Sequence, residues 1–295
     1  MKTEIIEING NSFFVRLWGD ASKRPLLMLH GFPEHSGAWH QLAAGLTDEF
    51  FCIAPDQRGY GQSFKPNGVE NYRISEVVGD IAGFISHYTD NGKIDLLGHD
   101  WGAAAAYGAA IAIPDMVDNL LILNGVHPAA FQNELAKGGA QTAASQYFHW
   151  LRTDASTHKL AQNNFAKLIE FMSNGMDCEW LQGEVLSDYL QQWQDEDVLD
   201  CMLNWYRASP IIIPKTGHTM EPDKLLKFNQ TDMRINMPHL IIWGEKDKAL
   251  TAETRDGIFD YCDDVKIELI ADADHWLHHQ QPGKIAKLIR AFLLA

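Results

Sequence analysis

The chain is 295 residues long, which at about 150 residues per domain means one large domain or a core carrying an inserted subdomain. With 46% hydrophobic, 11% aromatic and 21% charged residues, the composition is that of a globular protein and excludes disordered, collagen-like and coiled-coil chains. A net charge of −15 with no basic cluster would repel a phosphate backbone, so no nucleic-acid partner is expected.

The start, Met1-Lys2-Thr3-Glu4-Ile5-Ile6-Glu7, carries early acids and no apolar core of signal-peptide length, and no run is long enough to span a bilayer. A cytoplasmic protein without a membrane partner is the expectation. Cys52, Cys178, Cys201 and Cys262 lie far apart without CxxC spacing, which fits neither a disulfide framework nor a zinc site.

Phe13 to Trp18 alternates like an antiparallel strand. Pro25–His30, Phe51–Pro55, Ile94–Gly98 and Leu120–Asn124 are short apolar runs, as strands buried on both faces require, and helical patterns separate them. Two more such runs, His239–Gly244 and Val265–Ile270, come late, followed by a helix over Gly283–Leu294 with Ile285, Leu288, Ile289 and Phe292 on one face. From about His127 to Gln230 the chain is rich in Gln, Trp, Tyr, Met and Asp with helical spacing, as at Leu186-Tyr189-Leu190-Trp193. The expected architecture is α/β, a mostly parallel eight-stranded sheet with an all-helical cap inserted between the sixth and seventh strands. The expected boundaries are 1–126 and 231–295 for the core and 127–230 for the cap.

The sharpest motif is Gly98-His99-Asp100-Trp101-Gly102, where an apolar strand meets an Ala-rich helix. Small residues flanking a nucleophile on a strained strand-to-helix turn form a nucleophile elbow, here with Asp in place of Ser. An Asp at that place could also serve as a plain N-cap. His30-Gly31-Phe32-Pro33-Glu34 follows an earlier strand. Asp56-Gln57-Arg58-Gly59-Tyr60-Gly61 follows another, and Arg58 there reads as a buried ion-pair partner or loop anchor. Asp247 follows the strand at 239–244, and His275 follows the last strand. The order Asp100, Asp247, His275 is that of nucleophile, acid and base. Asp272 and Asp274 are alternative acids, but a neighbour of His275 is badly placed to hold its ring. His278 and His279 form a His-rich patch without a carboxylate at helical ligand spacing, so no metal is expected.

These motifs, in this order and over nearly the whole chain, resemble the epoxide hydrolases of the α/β-hydrolase fold. The resemblance implies that the backbone N–H groups of Phe32 and Trp101 form an oxyanion hole and that two cap tyrosines bind the epoxide oxygen. The later tyrosine stands in an Asn-Trp-Tyr-Arg stretch in that family, and Asn204-Trp205-Tyr206-Arg207 matches it. The earlier opens an aromatic run, and Gln146-Tyr147-Phe148-His149-Trp150-Leu151-Arg152 occupies that place, with Arg152 and Thr153 where the family often has Gln and Pro. Two phenols suit an opening epoxide, because they stabilise the developing alkoxide while one supplies a proton.

The expected activity is hydrolysis of an apolar epoxide to a vicinal diol through an Asp100 ester, with Asp247 and His275 activating water and Tyr147 and Tyr206 assisting. No cofactor and no metal are implied, and the partners are epoxide and water. Phe32, Trp101, His149, Trp150 and Trp205 are the expected substrate-binding residues. A monomer and a homodimer are both compatible. Haloalkane and haloacid dehalogenases, which share the fold and the Asp nucleophile, are the alternative. Against them, no arginine follows Asp100 to clamp a carboxylate, and Phe32 stands where haloalkane enzymes often carry a halide-binding Asn. A ligand-binding protein without turnover is the alternative of another class.

Overall fold

The structure is a computed structural model that describes every residue except Asn91, Asp195 and Lys227. Its eight strands are β1 (Lys2–Ile8), β2 (Asn11–Trp18), β3 (Arg24–Leu29), β4 (Phe50–Pro55), β5 (Ile94–His99), β6 (Val117–Leu123), β7 (His239–Gly244) and β8 (Val265–Ile270). They form one sheet in the order β1-β2-β4-β3-β5-β6-β7-β8. β2 is antiparallel to both of its neighbours, and every pairing from β4 to β8 is parallel.

The central strands read as unbroken apolar runs because helices cover both faces. Every residue of β4, β5 and β7 is buried. On one face, α1 (His40–Ala44), α11 (Leu277–Gln280) and α12 (Pro282–Leu293) bury Leu42, Leu277, Ile285 and Ile289 against Leu26, Met28, Leu97 and Leu121. On the other lie α2 (Ile74–Tyr88) and α3 (Trp101–Ala112). The alanines of α3 let it lie close to the strands, and Ala103, Ala105, Ala106 and Ala109 are wholly buried.

Between β6 and β7 the described residues hold no strand within the sheet. This insertion carries α4 (Pro128–Leu135), α5 (Ala140–Ala144), α6 (Tyr147–Leu151), α7 (Asp154–Met172), α8 (Gly183–Trp193) and α9 (Glu196–Ala208). α7 is broken at residues 162–165, where Asn163, Asn164 and Phe165 take positive φ. α10 (Ala252–Asp256) follows β7. Strand β1 has no counterpart in the apolar runs of the sequence. It is an edge strand with an exposed face, so acids interrupt its isoleucines and only Ile6 and Ile8 are buried. The closing helix begins at Pro282 and ends at Leu293, one residue earlier at each end than expected. No described helix is long and apolar enough to cross a membrane, and all four cysteines are free thiols.

Candidate active site

The site forms where strand ends meet the helical insertion. β5 ends at His99, α3 begins at Trp101, and Asp100 between them sits at φ 52°, ψ −119°. That conformation is costly for a residue with a side chain. It lifts the carboxylate above the sheet edge, and the turn is closed by Ala103 N–H donating to Asp100 O at 3.0 Å. The flanking glycines are steric necessities. A Cβ on Gly98 would strike the α3 backbone at Gly102, and one on Gly102 would strike the carbonyls of Leu29 and His30.

The two Asp100 oxygens have different surroundings. Oδ1 accepts the Phe32 backbone N–H at 2.8 Å, whereas Oδ2 lies 3.6 Å from His275 Nε2. The Phe32 turn is held by the buried His30. Gln57 N–H donates to its Nε2 at 3.1 Å, so the proton is on Nδ1, 3.0 Å from Gly31 O.

His275 Nδ1 donates to Asp247 Oδ2 at 2.8 Å, which directs Nε2 at Asp100. Asp247 is fixed on every side. Oδ1 accepts from Ala249 N at 2.7 Å and Leu250 N at 3.0 Å, and Oδ2 also accepts from Asn124 Nδ2 at 2.6 Å. Asn124, at the end of β6, accepts Gly244 N–H at 2.7 Å with its other atom, which ties the Asp247 turn to the sheet. Burial opposes ionisation of Asp247, but the His275 charge and these donors hold its carboxyl below the usual range. Burial likewise opposes a charge on His275, and Asp247 and Asp100 together overcome it, so the imidazole keeps its proton to well above the usual pH. Asp274, an alternative acid in the sequence, faces away and accepts from Trp276 N at 2.9 Å and Asp177 N at 2.6 Å.

Tyr147 and Tyr206 meet from α6 and α9, ring centroids 6.2 Å apart. Tyr206 also packs edge-on against Phe32 at 5.2 Å and Trp101 at 4.9 Å. Burial, reinforced by the Asp100 charge, pushes both phenols upward, so both remain O–H donors. Arg152 explains its departure from the expected Gln-Pro pair. Nε donates to Tyr206 O at 2.9 Å, and Nη2 to Ser209 O at 3.0 Å and Ile211 O at 2.8 Å, which locks α6 to the end of α9. Arg58 is a loop anchor, paired with Asp80 and bonded to Asn71 O and Glu76 O.

Two cavities meet at Asp100. One of about 230 Å³ is lined by Phe32, Asp100, Tyr147, Tyr206, Lys248 and His275 among others. The other, of about 560 Å³, runs along α3 past Trp101, Ala104, Gly108 and Ile111 and is bounded by Phe131 and Trp205. Of the expected substrate-binding residues, Phe32, Trp101 and Trp205 line these spaces. His149 and Trp150 line neither: on the short α6 the ring of Tyr147 faces the cavity and His149 is exposed.

Residues 24–282 match the alpha/beta hydrolase fold family. A solved structure described as one of the novel epoxide hydrolases of the alpha/beta hydrolases superfamily from metagenomes of hot environments is 30% identical. It covers 99% of this chain and 98% of its own, with a TM-score of 0.88. The chain belongs to the epoxide hydrolases of the α/β-hydrolase fold. Three further proteins are similar over nearly the whole chain. The Bacillus megaterium epoxide hydrolase solved with an inhibitor is 28% identical over 99% of this chain and 100% of its own, at a TM-score of 0.87. Human "Epoxide hydrolase 4" is 27% identical over 98% of this chain and 77% of its own. The Bacillus subtilis "AB hydrolase superfamily protein YfhM" is 29% identical over 99% of this chain and 98% of its own.

Sequence reasoning missed a buried cluster behind the site. Glu34 accepts from His99 Nδ1 at 2.9 Å, His278 Nε2 at 3.1 Å, His279 Nε2 at 2.8 Å and the Tyr189 hydroxyl at 3.0 Å. The carboxylate for the His278–His279 patch comes from far away in sequence, which no local spacing reveals. Glu34, His99 and His278 stand close enough to share an ion, but these hydrogen bonds already occupy the Glu34 oxygens. Burial works against the Glu34 charge and the three histidines more than offset it, holding the carboxyl well below its usual range. His99 Nε2 lies 2.8 Å from His275 O, which places the cluster directly behind the base.

Proposed function

We propose that this chain hydrolyses apolar epoxides to vicinal diols, with residues 127–230 acting as a cap over a core of 1–126 and 231–295. The observation that carries the reading is Asp100. One oxygen rests on the Phe32 N–H, the other faces a histidine oriented by Asp247, and two protonated tyrosines stand across the same cavity.

In this mechanism Asp100 Oδ2 attacks an oxirane carbon, the ring C–O bond breaks, and the released alkoxide takes a proton from a phenol of the Tyr147–Tyr206 pair. The product is an ester whose carbonyl oxygen already occupies the Phe32 N–H, with Trp101 N–H as the second expected donor. Ester formation removes the Asp100 charge, so the imidazole loses one of the two anions that hold its proton, releases that proton to solvent until the Asp100 carboxylate is regenerated, and meanwhile acts as a base. His275 then takes a proton from water, and the hydroxide adds to the ester carbonyl. Collapse of the adduct expels the diol oxygen, which takes the proton from His275. The proton left on the Asp100 carboxyl restores the phenol. No cofactor enters these steps.

The 560 Å³ cavity along α3 suits the apolar part of the substrate. A cap tryptophan such as Trp150 could donate to a halide in place of the missing Asn, but Trp150 lines neither cavity, which weighs against halide release. The test assays wild type and Asp100→Asn against aryl and alkyl epoxides and against haloalkanes and haloacids, reading diol and halide. Diol from wild type, none from the variant and no halide is the expected result. Halide release with inert epoxides overturns the reading, as does ligand binding without turnover of either.

A further inference from the structure

The two cavities that meet at Asp100 differ in the charges they carry. Asp100 is the only charged side chain lining the larger one among the described residues. The smaller holds Asp100 and His275 at its base and Lys248 and Asn174 on its exposed side. Lys248 is the only Lys or Arg lining either cavity among the described residues.

We propose that the mouth of the smaller cavity is a carboxylate subsite, where Lys248 with Asn174 beside it holds the anionic far end of an epoxide whose ring lies over Asp100. The inference rests on the ring-opening reading above and adds to it a substrate class, epoxides bearing a carboxylate.

Acids outnumber bases 39 to 24 in this chain, and other surface lysines use them: Lys137 pairs with Glu134, Lys167 with Glu170 and Lys266 with Glu268. The Lys248 ammonium forms no ion pair among the described residues, and no hydrogen bond occupies the Asn174 amide. Lys248 is also carried on a fixed turn. Its neighbours Ala249 and Leu250 donate to Asp247 Oδ1, Ala249 O accepts from Gln141 Nε2 at 2.9 Å, and Lys246 N–H donates to Ala273 O at 3.0 Å. The methylene stem lies against Gly175, next to Asn174, so an anchored core loop and the end of α7 bring two donors together at one opening.

The position of the cation defines the ligand. Asp100 would repel a second carboxylate bound beside it, so an anionic substrate must keep that group away from the ring and towards solvent. This is where Lys248 stands. A haloacid, whose carboxylate adjoins the reacting carbon, has no such partner here.

The experiment uses terminal epoxides of straight-chain alkanoic acids of graded length, each paired with its methyl ester, and reads the acid-to-ester ratio of kcat/KM in wild type, Lys248→Met and Lys248→Glu. Because both substrates are measured on the same preparation, a folding defect cancels in the ratio. Wild type is expected to favour the acid by about fivefold at its best chain length, as suits one exposed ion pair. The preference should shrink at high ionic strength, vanish in Lys248→Met and invert in Lys248→Glu. A ratio at or below one at every length, or one unchanged in Lys248→Glu, overturns the subsite, and diol formed from the esters would show that the ring-opening reading survives. If neither ester nor acid is turned over, the diol acid and its methyl ester are titrated against tryptophan fluorescence. Tighter binding of the acid to wild type but not to Lys248→Glu supports the subsite, and equal binding overturns it.

Discussion

Asp100 occupies a backbone conformation that an aspartate rarely takes, and in return its oxygens are sorted, one onto a main-chain donor and one towards an imidazole. His275 holds its proton because two carboxylates face it. Asp100→Asn removes one of them and mimics the charge lost on ester formation. The His275 pKa should therefore fall towards the ordinary histidine value in that variant, as followed by NMR titration of the ring protons. An unchanged pKa would mean that Asp100 does not control the base. The phenols give a second prediction at this scale. Tyr206→Phe and Tyr147→Phe should each lower kcat/KM for an epoxide by about 10² or more, the usual loss of one preorganised donor, with circular dichroism unchanged. This scale was also the most legible in sequence. Asp100, Asp247 and His275 announced themselves because the elbow and the strand-end positions are local patterns. Asn124, which fixes Asp247, and Glu34, which gathers three histidines, did not, because their partners lie up to 245 residues away.

At the scale of elements, the insertion depends on a few cross-links between short helices. Arg152 joins α6 to the end of α9 through three backbone carbonyls, so the two cap tyrosines share one fixture. Arg152→Ala should destabilise the protein by about 2 kcal/mol, since half-buried carbonyls lose a charged donor, and should raise KM for epoxides. Arg152→Lys should restore little, because an ammonium cannot reproduce the fork. Chemical denaturation of the three proteins checks this, and full rescue by lysine would contradict it. Strands β7 and β8 could be read to the residue from their apolar runs, because both are bounded by turn residues. β1 could not, because acids interrupt its isoleucines and only two of them are buried on the edge. The break in α7 at 162–165 was equally invisible, since Gln and Asn side chains suit a helix and a turn alike.

Across the whole molecule, burial has made several histidines poor bases. His35, His127, His239 and His278 are each lowered to about 4 by loss of solvation. An unfolded chain would protonate them below the usual 6.5, so the unfolded state binds more protons between about pH 6.5 and 4 and stability falls as pH drops through that window, by up to roughly 1.4 kcal/mol per pH unit for each histidine. His275 works slightly against that slope near pH 6.5, where its raised pKa keeps it protonated in the folded state while the unfolded chain is only partly protonated, and it adds nothing well below that pH. Urea denaturation at pH 7.0 and 5.5 should show a loss of several kcal/mol, and equal stability at the two values would contradict it. The cavities at this scale were illegible in sequence. Tyr147 and Trp150 share one short helix, yet only the tyrosine lines the site, because facing is decided by how α6 docks rather than by residue type.

The central claim is that the reaction passes through an ester on Asp100. A single turnover of excess enzyme with an epoxide in heavy-oxygen water, followed by mass analysis of the peptide containing Asp100, tests it most directly. Label is expected in the Asp100 carboxylate, with an unlabelled first-turnover diol, since water attacks the ester carbonyl. Label confined to the diol, with Asp100 unlabelled, would mean that water opens the ring directly and would contradict it.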